Sequence, residues 1–339
     1  MNPRALRGGL TAALLFFLVQ AGALALVPTF DAQGYQQVPN PQDPTNSLVY
    51  VGAILVATAV MLAAFKFDLD WVVKAFVVAT GGLLAWYVLG AVLPAALAGV
   101  LAAGVAGALV AYPEWYVVDA AGVVMGAGAG GLFGISFGVL PAVLLLGVLA
   151  VYDAISVYGT EHMLDLAEGV MDLRVPVVLV IPLQTGYSFL ADGSAASDDE
   201  TPQAATDGAG DADADPDSEP AATPSEDDPT AEREAVADRD AFFIGLGDAV
   251  MPTVLVASAA FFAPAPSLGV PLLPALNLPA LGAMVGTFLG LAVLLRWVFR
   301  GRAHAGLPLL NGGAIAGYLL GAVASGLSLV TALGLERYL

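Results

Sequence analysis

The sequence predicts an all-α polytopic membrane protein with nine transmembrane helices. Hydrophobic residues make up 58% of the chain and charged residues only 12%, and the mean hydropathy is +0.80. Soluble domains carry about 25% charged residues. Nine apolar stretches approach the roughly 20 residues that a helix needs to cross a bilayer. These stretches are Leu10–Val27, Leu48–Phe65, Trp71–Val92, Pro94–Ala111, Val117–Phe137, Val139–Tyr158, Ala241–Phe262, Pro279–Phe299 and Leu310–Leu333.

The distribution of Lys and Arg indicates which side of the membrane each connection occupies. Short cytoplasmic segments carry an excess of these residues. With nine spans and the N-terminus inside, ten of the eleven basic residues lie inside, and only Arg337 lies outside. The first stretch follows Arg4 and Arg7 and contains Ala-Gly-Ala-Leu-Ala, so a cleaved signal peptide is the alternative to a first span.

One segment accounts for most of the net charge of −19. Residues 191–240 contain 17 of the 30 acidic residues and two of the basic ones, and they contain no aromatic residue. Such a segment cannot bury a core, so it is predicted to be a disordered cytoplasmic loop. It separates an N-terminal membrane part, 1–190, from a C-terminal part, 241–339. The scarcity of Lys beside abundant Asp also suggests a salt-rich cell interior.

Two carboxyl groups lie inside predicted spans on either side of this loop. Asp153 is five residues from the cytoplasmic end of the sixth span, and Asp248 is seven residues from that of the seventh. At about 1.5 Å per residue, both are expected roughly 8–10 Å below the inner surface. Consecutive spans can pack side by side, so the two carboxyls can face each other.

A facing pair of aspartates has a defined chemistry. Close carboxyls in a poorly hydrated site share one proton, so one member can activate a water while the other protonates a carbonyl oxygen. No metal or cofactor is needed; the chain has no Cys and two His. An isolated intramembrane Asp is as often a proton relay or an ion site, so a proton-coupled transporter or ion channel is the alternative function. Asp119, just inside the fifth span, is expected to be structural.

Three motifs resemble those of one family of membrane proteases. Tyr152-Asp153 and Gly245-Leu246-Gly247-Asp248 resemble the Tyr-Asp and Gly-x-Gly-Asp motifs of presenilin and signal peptide peptidase, archaeal presenilin homologues in particular. Pro308-Leu309-Leu310 resembles the family's Pro-Ala-Leu motif, with Leu309 in place of Ala. The order of the motifs, the nine spans and the long sixth-to-seventh loop agree with the family over nearly the whole chain.

The resemblance implies an intramembrane aspartyl endopeptidase with Asp153 and Asp248 as its catalytic pair. Tyr152, Gly245, Leu246 and Gly247 would shape the substrate site, and the segment from Pro308 to Leu310 would pack against it. The Lys and Arg count places the N-terminus and the acidic loop in the cytoplasm, which is the orientation that the resemblance to presenilin implies. It implies single-span substrates whose N-termini lie outside. The protein is then expected in the cell membrane with a cytoplasmic N-terminus and acidic loop and an external C-terminus. Nothing in the sequence indicates nucleic-acid binding or an obligate partner subunit.

Two further segments follow the sixth span. Residues Thr160–Asp172 have the apolar spacing of an amphipathic helix. The run Val175–Pro182 is too short to span and is rich in β-branched residues, with proline near each end, which favours an edge strand. An opened substrate helix needs partners for its backbone groups, so Val178 and Val180 are candidate substrate-binding residues; an apolar segment packed beside the sixth span is the alternative.

Overall fold

The computed structural model describes residues 3–159, 176–184, 186–188, 241–299 and 305–338. The first part of the chain forms six helices, and short connections join them. The predicted amphipathic helix at Thr160–Asp172 and the acidic segment at 191–240 lie outside the described residues. The six helices are α1 (Pro3–Ala32), α2 (Thr45–Lys66), α3 (Asp70–Gly90), α4 (Ala95–Ala111), α5 (Trp115–Ser136) and α6 (Val139–Gly159).

In chain order, two strands follow α6 and precede the next described helix, and they pair as an antiparallel sheet. Strand β1 (Val178–Pro182) pairs with β2 (Ala241–Gly245), with Val180 opposite Phe243. The predicted strand at Val175–Pro182 is therefore present, and its partner is a segment of the same chain. The prediction of one helical span over Ala241–Phe262 is wrong at its start, because its aromatic and β-branched first residues form β2.

The C-terminal part contains three long helices and a short one. Helix α7 (Leu246–Phe262) begins directly after β2, α8 (Leu278–Val298) follows a loop, and α9 (Leu307–Ala324) is followed by α10 (Leu329–Ala332). Asn277 starts α8 as its N-cap, since its side chain accepts a hydrogen bond from the Ala280 N–H at 2.9 Å. The predicted ninth span to Leu333 is too long, because Gly326 adopts a left-handed backbone (φ 81°) and ends the helical run.

Within the described ranges, each predicted span corresponds to an apolar helix. Seven helices are long and apolar enough to cross a membrane, as judged by length and composition, and α4 and α7 are shorter apolar helices of 17 residues each. A helix of 17 residues is about 25 Å long, close to the ~30 Å hydrocarbon core of a bilayer.

Helix α5 lies at the centre of the bundle. It packs against α1, α3 and α7 through glycines that let neighbouring helices approach closely. A Cβ atom added at Gly130 would come within 2.6 Å of the Thr253 side chain in α7, and one at Gly128 within 2.7 Å of Val88 in α3. Small residues are the usual means of close packing between helices in membranes, where lipid gives little hydrophobic drive for association. This packing fixes α7 and, with it, Asp248.

Candidate active site

Asp153 lies on the buried side of α6, and its carboxyl group touches the start of α9. The residue is only 8% exposed. Its Oδ2 accepts a hydrogen bond from the backbone N–H of Leu307 at 3.0 Å. Leu307 is the first residue of α9, where the N–H groups have no partner within the helix. Asp153 therefore satisfies one of these N–H groups and joins α6 to α9.

Asp248 lies in the first turn of α7, three residues after the end of β2. It is partly buried, and glycines flank its carboxyl group on two sides. A Cβ atom added at Gly306 would lie 3.3 Å from Asp248 Oδ2, and one at Gly245 would lie 3.7 Å from it. The missing side chain at Gly306 thus leaves room for the carboxyl group beside the backbone of α9.

The two carboxyl groups therefore meet at adjacent residues of one backbone segment. Leu307 donates to Asp153, and the preceding Gly306 lies beside Asp248, since a Cβ atom added there would be 3.3 Å from Oδ2. The two aspartates are also close enough for a direct electrostatic interaction. The structure thus brings Asp153 and Asp248 close together, and their catalytic pairing stays a prediction. Within the described ranges, no cluster of three or more His, Cys, Asp or Glu side chains could hold a metal ion.

A small cavity of about 150 Å³ opens beside Asp248. Drug-sized ligands occupy pockets of about 300–1,000 Å³, so this cavity is too small for a ligand of that size. Strand β2 forms one wall and α8 forms another. Its lining residues are Phe242, Phe243, Ile244, Gly245, Asp248, Leu294, Leu295, Val298 and Gly306.

Helices α8 and α9 pack backbone against backbone through two rows of small residues. A Cβ atom added at Gly286 would collide with the carbonyl oxygen of Gly313, and one at Gly282 with that of Gly317. Further along the contact, Gly290 lies against the backbone of Leu309. This close approach is possible only without side chains at these positions, and it sets where α9 begins relative to both carboxyls.

The predicted motif at Pro308–Leu310 occupies the first turn of α9. Pro308 lies at a helix start, where a missing N–H costs nothing. Leu310 is fully buried in the main core cluster. The next residue, Asn311, donates to the carbonyl oxygen of Leu146 in α6 at 3.0 Å. The first turns of α9 are therefore anchored against α6 by Asn311 and packed against α8 at the backbone of Leu309.

The other residues predicted for the substrate site lie in different surroundings. Tyr152 is 39% exposed on α6, next to Asp153. Leu246 is buried and packs near Gly122 and Gly126 of α5. Gly247 is exposed, with nothing within 4 Å of an added Cβ atom.

Val178 and Val180 belong to β1, and Asp119 of α5 fixes this strand from one side. The Val180 N–H donates to Asp119 Oδ1 at 2.7 Å. Asp119 is only 5% exposed. The buried third carboxyl is therefore bonded to the backbone of β1. Direct contact of Val178 or Val180 with substrate stays a prediction.

Sequence reasoning missed Gly306, Leu307 and Asn311. Each acts through a contact with a residue more than 50 positions away, which no local motif reveals. The signal that could have found the α8–α9 contact is the repeat of glycine every four residues, at Gly282, Gly286 and Gly290 in α8 and at Gly313, Gly317 and Gly321 in α9.

The bundle of apolar helices is typical of a membrane-embedded protein, and two neighbouring carboxyl groups are the pair that an aspartyl protease needs. The family described as signal-peptide peptidase, presenilin aspartyl protease matches residues 13–327. The chain belongs to this family, and it is therefore an intramembrane aspartyl protease, a hydrolase, in a multi-pass membrane fold.

Two solved structures support the assignment. One, a presenilin family intramembrane aspartate protease in space group C222, is 32% identical over 93% of this chain and 99% of its own, with a TM-score of 0.61. The other, a presenilin family intramembrane aspartate protease in space group P2, is 32% identical over 92% of this chain and 96% of its own, with a TM-score of 0.58. A search of curated proteins found no match.

Proposed function

We propose that Asp153 and Asp248 together hydrolyse peptide bonds of transmembrane helices, with water as the nucleophile. The observation that carries this proposal is the meeting of both carboxyls at Gly306 and Leu307. Two acids held against one rigid helix start can act on one peptide bond from fixed positions. Such positioning accounts for much of the rate enhancement of many enzymes.

The Leu307 N–H suggests which aspartate acts as the base and which as the acid. A hydrogen bond from a backbone N–H at a helix N-terminus stabilises an ionised carboxylate. Asp153 then carries the charge and acts as the base, while Asp248 carries the shared proton and acts as the acid. The pair exchanges protons as a unit, so the assignment describes the resting state.

The proposed reaction has two steps. Asp153 takes a proton from water as the water oxygen bonds to the peptide carbonyl carbon, and Asp248 gives its proton to the carbonyl oxygen. In the second step, Asp153 passes its proton to the amide nitrogen and the C–N bond breaks. A hydroxyl proton of the intermediate returns to Asp248 as the carboxylic acid product forms. Both aspartates thus regain their starting protonation states.

The sheet offers a place for the substrate backbone. The Val180 N–H points to Asp119 rather than to Phe243, so this opposed pair does not exchange ladder hydrogen bonds. Hydrogen-bonded and non-hydrogen-bonded pairs alternate along an antiparallel ladder. Val178 and Gly245 are opposed two residues further along, so they are also a non-hydrogen-bonded pair, and the backbone N–H and C=O of Gly245 point away from β1. Gly245 also lines the cavity beside Asp248. We propose that an unwound substrate adds as a strand along this edge of β2, with β1 and Asp119 supporting β2 from behind.

The orientation of the substrate follows from that of the enzyme. The count of Lys and Arg supports a cytoplasmic N-terminus and acidic loop, an external C-terminus, and an active site nearer the cytoplasmic face. Single-span substrates would then enter with their N-termini outside. The enzyme is proposed to work without a partner subunit.

Reconstitution tests this function. Purified protein in lipid vesicles should cut a single-span substrate into two fragments whose masses locate one peptide bond within or near the span. The Asp248→Ala variant, incorporated to the same extent, should release no fragment. Equal cleavage by the variant and the wild-type protein would overturn the proposal.

A further inference from the structure

An apolar cleft of about 620 Å³ lies between α1 and α8. The cleft follows α8 for about 16 Å, at 1.5 Å rise per residue. The two helices lie close together here: an added Cβ atom at Gly9 would lie 3.8 Å from Leu295, and one at Gly8 would lie 3.7 Å from Phe299. Its lining residues are Ala5, Leu6, Gly9, Leu10, Ala13, Phe288, Leu291, Ala292, Leu295, Arg296 and Phe299.

Among the described residues that line this cleft, Arg296 is the only charged one. It lies in the last turn of α8 and is exposed. Within the described part of the chain, its guanidinium group forms no ion pair or hydrogen bond with another residue. The rest of the wall, from Leu295 back to Phe288, runs toward the middle of the helix and is apolar. The cleft therefore has a cationic end at the level of a helix terminus and an apolar length within the span.

We infer that this cleft binds an anionic phospholipid, with acyl chain along α8 and phosphate on Arg296. A guanidinium group matches a phosphate in charge and in hydrogen-bond geometry. A neutral lipid would satisfy the apolar wall alone and leave Arg296 without a partner. A partner helix about 10 Å across and 16 Å long occupies roughly 1,300 Å³, about twice the cleft volume, so a lipid chain fits better.

The cleft is connected to the proposed active site through two residues. Leu295 lines both the cleft and the cavity beside Asp248. Phe299 lines the cleft, and its ring packs edge-on against Phe242 of β2, with centroids 5.9 Å apart. A lipid in the cleft would contact Leu295 and Phe299, and Phe299 in turn packs against Phe242 of β2. Bound lipid should therefore raise proteolytic activity; this consequence, unlike the binding itself, rests on the proposed function.

Native mass spectrometry of the full-length protein tests the binding. After exchange into detergent with equal amounts of phosphatidylglycerol and phosphatidylcholine, the wild-type protein should retain one phosphatidylglycerol. Arg296→Gln should reduce this retention at least fivefold, and Ala292→Phe should do so by filling the cleft. Two matched controls should behave as wild type: Lys66→Gln, which removes an exposed charge at the end of α2, and Leu289→Phe, which adds an aromatic ring on another face of α8.

Two results would overturn the inference. One is retention of phosphatidylglycerol by Arg296→Gln and Ala292→Phe at the wild-type level. The other is equal retention of the two lipids by the wild-type protein. The measurement uses no substrate, so it can also be made on the inactive Asp248→Ala variant. Equal cleavage rates in bilayers of either lipid, despite selective binding, would refute only the connection to the active site.

Discussion

The backbone N–H of Leu307 and the carboxyl group of Asp153 are joined by a 3.0 Å hydrogen bond, although the residues are 154 positions apart in the chain. This bond ties the start of α9 to α6 at one member of the proposed catalytic pair. The preceding residue, Gly306, lies beside the other member, Asp248. One backbone segment therefore lies next to both acids, and the Asp153 carboxyl accepts a hydrogen bond from it.

Replacement of Leu307 by proline tests the role of this donor. Leu307→Pro removes the N–H at a helix position where proline is tolerated. Hydrogen bonds to charged groups contribute about 1.5–3 kcal/mol, so kcat/KM should fall roughly tenfold to a hundredfold. Leu307→Ala keeps the N–H and should retain most activity. An equal loss in both variants, measured with fragment release and melting temperature, would show that the side chain matters rather than the N–H.

The glycine contact between α8 and α9 gives a stability prediction. Gly286→Ala introduces a Cβ atom that collides with the backbone of Gly313. Overpacking costs about 1–3 kcal/mol, and the shift of α9 should also lower proteolysis. Gly312→Ala is the matched control on α9, because it is exposed and nothing lies within 4 Å of an added Cβ atom.

Alanine exceeds glycine in helix propensity by about 1 kcal/mol, so the control should be neutral or stabilising. Thermal unfolding in detergent measures both effects. Equal melting temperatures for the two variants would contradict the proposed role of the α8–α9 contact.

The sheet prediction concerns Val180 and Asp119. Val180→Pro removes the N–H that Asp119 accepts, and Asp119→Ala removes the acceptor. Both changes should slow cleavage of a helical substrate and spare a short, already extended peptide, since only the helical substrate must be unwound. The double variant should be little worse than either single variant, because all three lose the same bond.

The melting temperature of each variant is the control for this experiment. An equal loss on both substrates at unchanged stability would count against recruitment by the sheet. Additive effects of the two substitutions would show that Val180 and Asp119 act separately.

The pH dependence of proteolysis tests the sharing of one proton. The mechanism needs one ionised and one protonated carboxyl, so the rate should be bell-shaped in pH. At low pH both acids are protonated and no base remains; at high pH both are ionised and no acid remains. The measurement is kcat/KM from acid to about pH 9, with the folded fraction checked at each point. A rate that rises without a maximum would exclude the paired mechanism.

The sequence predicted the helices well because hydropathy reports the length of an apolar segment. It did not separate β2 from α7, since a continuous apolar run has no period that distinguishes a strand from a helix. Phe242, Phe243 and Ile244 form a strand because β1 lies beside them, a neighbour that local sequence does not reveal. The aspartate pair was predictable because its members lie on consecutive spans. The contribution of Gly306 and Leu307 depends on how α9 packs, which no local pattern specifies.

The most direct test of the central claim compares the same substitution at three aspartates of the helix bundle. Asp153→Asn, Asp248→Asn and Asp119→Asn each remove one ionisable group. Asparagine at 119 keeps an oxygen that can accept the Val180 N–H. With equal amounts of folded protein and a single-span substrate, the first two variants should release no fragments, and Asp119→Asn should cleave at close to the wild-type rate. Wild-type cleavage by Asp153→Asn or Asp248→Asn would contradict the account.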